Sequence, residues 1–229
     1  MRKQLTVGVV GVGYLGRFHA LIYSRHPDVD LVGVVDSDPQ RAEVVAAEAG
    51  CPAYTDAAEI LDKVDAVSIV VPTTAHLAVS RQFLDRGIHV LLEKPIATTV
   101  AQGVEIVAAA ERTGVILQIG HLERFNAGVM ALAERIQSPR FIEAHRMSPF
   151  VARATDVDVI SDLMIHDIDI VLSLVNAEIA HISAAGSAVL TDHIDIANAR
   201  IEFSNGAVAN VIASRVSREK MRRIRVFQH

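Results

Sequence analysis

Short apolar runs alternate through the first half of the chain with segments whose apolar residues recur at helical spacing. The runs are rich in β-branched residues, which is typical of strands buried on both faces of a sheet. Such alternation predicts a parallel sheet covered by helices. The predicted strands are 5–10, 31–35, 66–71, 89–92 and 115–119, and the predicted helices end near residues 26, 49, 86 and 112.

The pattern changes near Gly120. A short helix around 126–135, a strand at 140–147 and an apolar helix at 159–175 come first, and four strand-like segments follow at 181–189, 195–203, 207–214 and 222–227. Asn205-Gly206 lies between two of these segments and is a strong signal for a two-residue hairpin. The sequence therefore predicts an α/β domain at 1–120 and an α+β domain at 121–229 with a largely antiparallel open sheet.

Composition limits the classes of function. The chain has 229 residues, of which 51% are hydrophobic, and a formal net charge of −5. Its size suits one large domain or two small ones, and no apolar run is as long as a membrane span. The negative charge argues against nucleic acid or a membrane surface as partner. The single Cys51 excludes an internal disulfide and favours a cytoplasmic protein.

Three glycines directly follow the first predicted strand. Gly11, Gly13 and Gly16 have G-x-G-x-x-G spacing, and a helix-like segment follows them. In a dinucleotide site the first glycine makes the turn, the second admits the pyrophosphate and the third packs helix on strand. The free N–H groups of the helix N-terminus face the phosphates. We interpret the stretch as a dinucleotide site of a Rossmann domain, the alternative being an ordinary strand-turn-helix.

Asp36 ends the next strand, twenty residues after Gly16. At this position an acidic side chain accepts hydrogen bonds from the adenosine ribose. A carboxylate repels the 2′-phosphate of NADP, so we expect NAD as the cofactor and NADP to bind less well. Arg41 is the one nearby residue that could soften this preference.

Four polar residues interrupt the apolar helix predicted at 159–175. Asp162, His166, Asp169 and Ser173 stand at i, i+4, i+7 and i+11, which would place them in one stripe on a buried helix. A histidine with an aspartate one turn away suits an oriented general base. The alternatives are a self-satisfied polar network and a chelating pair. We expect no metal, because no third ligand is placed by spacing.

Lys94 directly follows the strand predicted at 89–92, which should end at the same sheet edge as the glycine turn. Ligands of doubly wound folds sit at that edge. A lysine there can hydrogen-bond a substrate oxygen. The residues alone are equally consistent with a surface ion pair between Lys94 and Glu93.

Five motifs follow one another along the chain, namely GVGYLG, Asp36, PTTAH, EKP at 93–95 and DLMIHDID at 162–169. In these motifs and their order the chain resembles the Gfo/Idh/MocA oxidoreductase family over nearly its whole length. The resemblance implies an NAD(P)-dependent sugar or cyclitol oxidoreductase. It also implies that the second domain binds substrate and forms a homodimer or homotetramer through its open sheet.

The resemblance assigns roles to individual residues. Lys94, Asp162 and His166 match the catalytic residues, and Met164 departs from the glycine that the family often has there. The expected cofactor-binding residues are Gly11, Gly13, Tyr14, Leu15, Gly16, Asp36, Pro72, Thr73, His76, Glu93 and Lys94. Family members are commonly longer, so we expect the chain to be incomplete at its C-terminus.

GHLERFN at 120–126 together with SDLMIHDID is similar to bacterial enzymes of this family that oxidise the 3-hydroxyl of UDP-N-acetylglucosamine. This branch implies that Arg124, Asn126 and Asp169 contact the substrate. Either Arg146 or Arg153 could then meet the diphosphate. Surface ion pairs are the alternative for each arginine.

The expected reaction is oxidation of a secondary hydroxyl. His166, or Lys94 with His166 behind it, would take the hydroxyl proton while hydride passes to the nicotinamide, and Asp162 would hold the histidine tautomer. Two alternatives stay open. The substrate could be a free sugar or an inositol, or the chain could be a non-catalytic sensor or scaffold that binds NAD.

Overall fold

A computed structural model describes residues 4–151 and 157–228. The chain divides into two compact units, Met1–Gly120 and His121–His229. The division falls where the hydrophobic pattern changes. Within the described ranges, no helix is both long and apolar enough to cross a bilayer.

The first unit is built on a six-stranded parallel sheet with the order β3-β2-β1-β4-β5-β6. Its strands are β1 Leu5–Val10, β2 Val29–Val35, β3 Ala53–Tyr54, β4 Ala66–Ile69, β5 His89–Leu92 and β6 Leu117–Ile119. Its helices are α1 Tyr14–Tyr23, α2 Pro39–Ala49, α3 His76–Leu84 and α4 Val100–Thr113. The strand order reverses between β1 and β4, and ligands of such folds bind at that reversal.

Helix boundaries in the first unit follow local signals. The Asp38 side chain caps α2, which starts at Pro39. Gly50, which follows the last residue of this helix, adopts the left-handed conformation. Thr99 caps α4 in the same way. Asp56 and Glu59 form a capping box, and the segment they start is the 3₁₀ helix Ala57–Ile60.

Some predicted boundaries are wrong by a few residues. The strand predicted at 66–71 ends at Ile69, because the chain turns there into the 3₁₀ helix Thr73–Ala75 that precedes α3. The prediction misses β3, which has two residues and so carries no readable period. Both differences lie near the carboxyl edge of the sheet.

The second unit contains a mixed five-stranded sheet with the order β11-β7-β10-β9-β8. Its strands are β7 Pro139–Met147, β8 Ile179–Ser187, β9 Ile196–Phe203, β10 Val208–Ser214 and β11 Met221–Gln228. Only the pairing of β10 with β7 is parallel, so the predicted antiparallel character is confirmed. Gly206 turns the β9–β10 hairpin with φ +82°. The loop has three residues, 204–206, rather than the predicted two, because the Phe203 N–H donates to the Ala207 carbonyl.

Helices of the second unit are α5 Ala127–Ala133 and α6 Ile165–Leu174, and α6 packs on one face of the sheet. The helix predicted at 159–175 is not regular, because Ile160–Met164 forms a π-helical turn before α6. A π turn inserts residues relative to the α register and shifts side chains around the axis. Of the predicted polar stripe, His166, Asp169 and Ser173 lie within the regular helix α6, whereas Asp162 lies in the π turn, so only its predicted position around the axis is wrong.

Candidate active site

The glycine turn between β1 and α1 has the geometry that a dinucleotide requires. Gly11 adopts φ +84°, which favours glycine, and a Cβ there would lie 2.6 Å from the Val70 carbonyl oxygen. A Cβ on Gly16 would lie 1.8 Å from the Gly11 carbonyl oxygen. A Cβ on Gly13 would instead meet no atom within 4 Å. The first and third glycines are thus required by packing, whereas the second leaves space for a ligand.

A cleft of about 720 Å³ opens at this turn. No side chain caps α1, so its first N–H groups are available to an anion. Eight of the expected cofactor residues border the cleft, namely Gly11, Gly13, Tyr14, Leu15, Asp36, Pro72, Glu93 and Lys94. Gly16, Thr73 and His76 are not part of its lining.

Asp36 borders the cleft and also supports the glycine turn. One carboxylate oxygen accepts the Val12 N–H at 2.9 Å, and the other accepts the Asp38 N–H at 3.0 Å. The Arg41 guanidinium lies 3.1 Å from Asp36 and 3.2 Å from Asp38. Arg41 is therefore held between two carboxylates at the edge of the cleft.

His76, one of the expected cofactor-binding residues, does not line the cleft. The residue is 1% exposed. Its Nδ1 lies 3.0 Å from the Pro95 carbonyl oxygen, and its Nε2 lies 3.0 Å from that of Val71. Because main-chain carbonyls occupy both nitrogens, His76 joins the loops that follow β4 and β5.

Glu93 and Lys94 follow β5 and border the cleft. Glu93 is 7% exposed, and burial alone would raise the pKa of its carboxyl. Hydrogen bonds from His19 and from the Lys94 backbone outweigh that cost, so the pKa lies below its usual value. Glu93 is thus a buried carboxylate with defined partners. The alternative interpretation, a surface ion pair, is wrong for this residue.

Arg146 on β7 belongs to a closed ion cluster in the second unit. Its guanidinium donates to both oxygens of Asp167, at 2.8 and 2.9 Å, and a third contact reaches Glu123 at 3.3 Å. Burial would lower the arginine pKa, but these carboxylates raise it. Arg146 is only 5% exposed. This placement contradicts the expectation that Arg146 binds a diphosphate, and Arg153 lies outside the described residues.

Arg124 and Asp169 form a second bidentate pair, with both N···O distances 2.7 Å. The Arg124 side chain is half exposed, whereas Asp169 is buried. The ring of His121 lies 4.0 Å from the same carboxylate. Asn126 is exposed, and its side-chain oxygen caps α5 through the Gly128 N–H. The two predicted substrate contacts Arg124 and Asp169 are therefore brought together.

Asp162 lies within the π turn and His166 in the first turn of α6, and both are half-buried. The Asp158 side chain holds the start of this segment by accepting the Ser161 N–H at 2.7 Å. Ser173 is exposed and donates to the Ile170 carbonyl of its own helix. Of the predicted stripe, Asp162 and His166 share the start of the helix, whereas Asp169 and Ser173 have other surroundings.

Sequence reasoning missed some residues of both sites. Thr55 and Asp56 border the cleft because β3 ends beside Asp36, and only the pairing of β3 with β2 reveals this. Asp167 was missed in the second unit because its partner Arg146 is 21 residues away. No spacing rule links those two positions.

Comparison with protein families gives two matches. Residues 5–121 match the oxidoreductase family of the Gfo/Idh/MocA type with an NAD-binding Rossmann fold. Residues 130–228 match the GFO/IDH/MocA C-terminal domain.

Individual relatives agree with these matches. The chain is 43% identical to a UDP-N-acetylglucosamine 3-dehydrogenase of Acidithiobacillus ferrooxidans over 98% of its own length and 71% of the relative's. A crystal structure bearing the same name superposes with a TM-score of 0.93 over 98% of this chain and 74% of that one. A scyllo-inositol 2-dehydrogenase (NAD(+)) of Bacillus subtilis is 30% identical over 95% of this chain and 69% of the relative.

Proposed function

Because the chain belongs to the Gfo/Idh/MocA oxidoreductase family and has its NAD-binding Rossmann fold, we propose that it oxidises the 3-hydroxyl of UDP-N-acetylglucosamine with NAD. The observation that carries the substrate is the 43% identity to the Acidithiobacillus enzyme, which spans nearly the whole chain. The identity to the inositol dehydrogenase is lower, at 30%.

The cleft at the glycine turn suits the cofactor. The open space at Gly13 and the uncapped start of α1 would receive the pyrophosphate. Asp36 would accept the ribose hydroxyls, and its negative charge favours NAD over NADP. Arg41 is neutralised by Asp36 and Asp38, which limits its value as a partner for a 2′-phosphate.

The catalytic residues in this proposal are Lys94, Asp162 and His166. Bound NAD supplies the hydride acceptor at C4 of its nicotinamide. Either His166 takes the hydroxyl proton, or Lys94 takes it with support from His166, as the C–O bond becomes a carbonyl. Asp162 precedes His166 by four residues and is proposed to hold its tautomer.

Arg124, Asn126 and Asp169 are the proposed substrate contacts in the second unit. The Arg124 guanidinium is half exposed, so its outward N–H groups can bind an anionic or hydroxylated ligand. Its ion pair with Asp169 holds the guanidinium in place. The buried Arg146 is left out of this set because Asp167 and Glu123 already engage it.

We further propose that the second sheet binds another copy of the chain, giving a homodimer or homotetramer. Helix α6 packs on one face, and the other face carries alternate residues such as His145, Asn198, Arg200 and Asn210. Light scattering on wild type and on Arg200→Glu tests this, since a single mass equal to the monomer in the wild type would contradict it.

We also propose a cytoplasmic location, because NAD is a cytoplasmic cofactor and Cys51 is free.

The test of the proposed function is reduction of NAD in a panel of UDP-N-acetylglucosamine, UDP-glucose, free N-acetylglucosamine, scyllo-inositol and myo-inositol. We expect the largest kcat/KM with UDP-N-acetylglucosamine and a lower kcat/KM when NADP replaces NAD. An inositol as the best substrate would contradict the proposed substrate but would agree with the proposed reaction class, oxidation of a secondary hydroxyl. No reduction with any of them, together with NAD binding in calorimetry, would favour the non-catalytic sensor.

A further inference from the structure

A series of hydrogen bonds connects helix α1 to the backbone of Lys94. Ser68 on β4 is fully buried, and its Oγ lies 2.6 Å from Nδ1 of His19. His19 Nε2 lies 3.4 Å from Oε1 of Glu93. The other carboxylate oxygen of Glu93 accepts the Lys94 N–H at 3.2 Å. The mechanism above assigns no role to His19 or Ser68.

The direction of these hydrogen bonds is set by the carboxylate. An ionised carboxylate only accepts, so His19 must donate through Nε2. With that hydrogen on Nε2, Nδ1 of a neutral ring accepts from the Ser68 hydroxyl. Each polar group in the series therefore has a partner, which is the condition for a buried polar network to be rigid.

The Glu93 carboxylate is also enclosed on a second side. A Cβ built on Gly120 would lie 3.0 Å from Oε1 and 3.2 Å from Oε2 of Glu93. The close approach of the Gly120 backbone leaves the carboxylate little room to move away from His19. Besides the Lys94 N–H, a histidine on α1 and a glycine directly after β6 therefore limit the position of this carboxylate.

We propose that His19 is a positioning residue for Lys94, acting through the Glu93 carboxylate. The inference rests on the proposed function, in which Lys94 acts on the substrate hydroxyl. His19 fixes one oxygen of Glu93, and the other oxygen fixes the backbone from which the Lys94 side chain extends. Misplacement of a reacting group by about 1 Å can cost about 10²-fold in rate, so loss of this support should lower turnover.

Two substitutions of His19 separate positioning from simple packing. The side-chain amide of His19→Gln can reach the place of Nε2 and keep the donor to Glu93. The shorter side chain of His19→Asn matches Nδ1, so it keeps the Ser68 contact and loses the donor to Glu93. Both replace an imidazole with a smaller amide at the same site, and a packing role would make them similar.

The experiment measures kcat, both KM values and the melting temperature with NAD and UDP-N-acetylglucosamine. We expect His19→Asn to lower kcat about 10-fold or more and to shift the pH profile of kcat, with the KM for NAD within about 2-fold. His19→Gln should recover most of the lost kcat. Glu93→Gln, which weakens the acceptor, should behave like His19→Asn and serves if that variant does not fold.

His89 provides the matched control, because it lies at the opposite end of β5 and its Nδ1 accepts the Ile116 N–H. His89→Asn should leave kcat unchanged. Equal kcat losses in His19→Asn and His19→Gln would overturn the inference in favour of packing. Wild-type kcat in His19→Asn, with Lys94→Met inactive, would overturn it and leave the proposed function intact. Wild-type kcat in Lys94→Met would remove the premise of this inference and would leave His166 as the proton acceptor of the proposed function.

Discussion

The buried carboxylates of the two units have different roles. In the first unit, Asp36 and Glu93 border an open cleft and take most of their hydrogen bonds from backbone N–H groups and a histidine. In the second unit, Asp167 and Asp195 are enclosed by Arg146 and Arg215. Burial of a charge is costly in both places. The first arrangement leaves charge at the edge of a ligand site, and the second joins parts of the framework.

The framework role is clearest at Asp195. Its carboxylate accepts the N–H groups of Val189, Leu190 and Thr191 at 2.7 to 2.9 Å, as well as the Arg215 guanidinium at 2.7 Å. Arg215 donates in turn to the Val157 carbonyl, just before the π turn that carries Asp162. The reactive groups of the second unit should therefore be its half-exposed residues rather than its buried acids.

The largest effect should come from His166, and this variant tests the division of roles directly. We expect His166→Ala to lower kcat about 10²- to 10⁴-fold, because a positioned acid-base group contributes that much. NAD affinity should stay the same, since the cleft residues all belong to the first unit. Steady-state kinetics with calorimetric NAD binding measures both. A wild-type kcat would remove His166 from the proposed mechanism.

A second large effect is expected on stability. Asp167→Ala leaves the buried Arg146 guanidinium without its bidentate partner, and breaking such a pair costs about 3–5 kcal/mol of unfolding free energy. The double variant Arg146→Met/Asp167→Leu should recover most of that loss, because no lone charge is buried. Urea unfolding measures the difference.

The control for that comparison is an exposed pair on the first unit, Arg17 and Glu48. Glu48→Gln should change the unfolding free energy by less than about 1 kcal/mol. If Asp167→Ala cost no more than this control, the Arg146 cluster would not be part of the framework, and a role for Arg146 in substrate binding would have to be reconsidered.

The features that the sequence predicts are those with local causes. The glycine turn, the Asp56–Glu59 capping box and the Asn205-Gly206 hairpin each depend on residues a few positions apart, and all three are present, although the hairpin loop has three residues rather than two. Asp162 and His166 lie in a helical segment, as predicted, although Asp162 is in a π turn and only His166 is in the regular helix.

Features that were missed depend on distant residues. Whether Arg146 meets a ligand or Asp167 is decided by the pairing of β7 and the packing of α6, which spacing does not reveal. His76 has both nitrogens occupied because the loops after β4 and β5 meet, which is a property of the sheet order. The π turn is missed because the apolar pattern there is nearly continuous and so carries little periodic signal.

The pH dependence of stability should reflect Asp195. Burial alone would raise its pKa, but three backbone N–H groups and Arg215 hold the pKa well below its usual value. A carboxyl with a depressed folded-state pKa stabilises the fold above its unfolded pKa of about 3.9, and this contribution is lost as the pH falls below that. Asp195→Asn should be less stable at pH 7 and should lose less stability than wild type between about pH 5 and 3. Urea unfolding across that range measures the slope, and an unchanged slope would contradict the assignment.

The smallest expected effect separates ligand space from packing within the glycine turn. A methyl group at Gly13 meets no protein atom, and its φ of −63° suits alanine, so Gly13→Ala should keep the melting temperature of wild type. That methyl group would project into the space proposed for the pyrophosphate and should raise the Kd for NAD about 10-fold, or about 1.4 kcal/mol. Gly16→Ala is the matched control, because its methyl group would overlap the Gly11 carbonyl. Unlike Gly13→Ala, it should lower the melting temperature. If Gly13→Ala bound NAD as tightly as wild type, the pyrophosphate would have to lie elsewhere in the cleft.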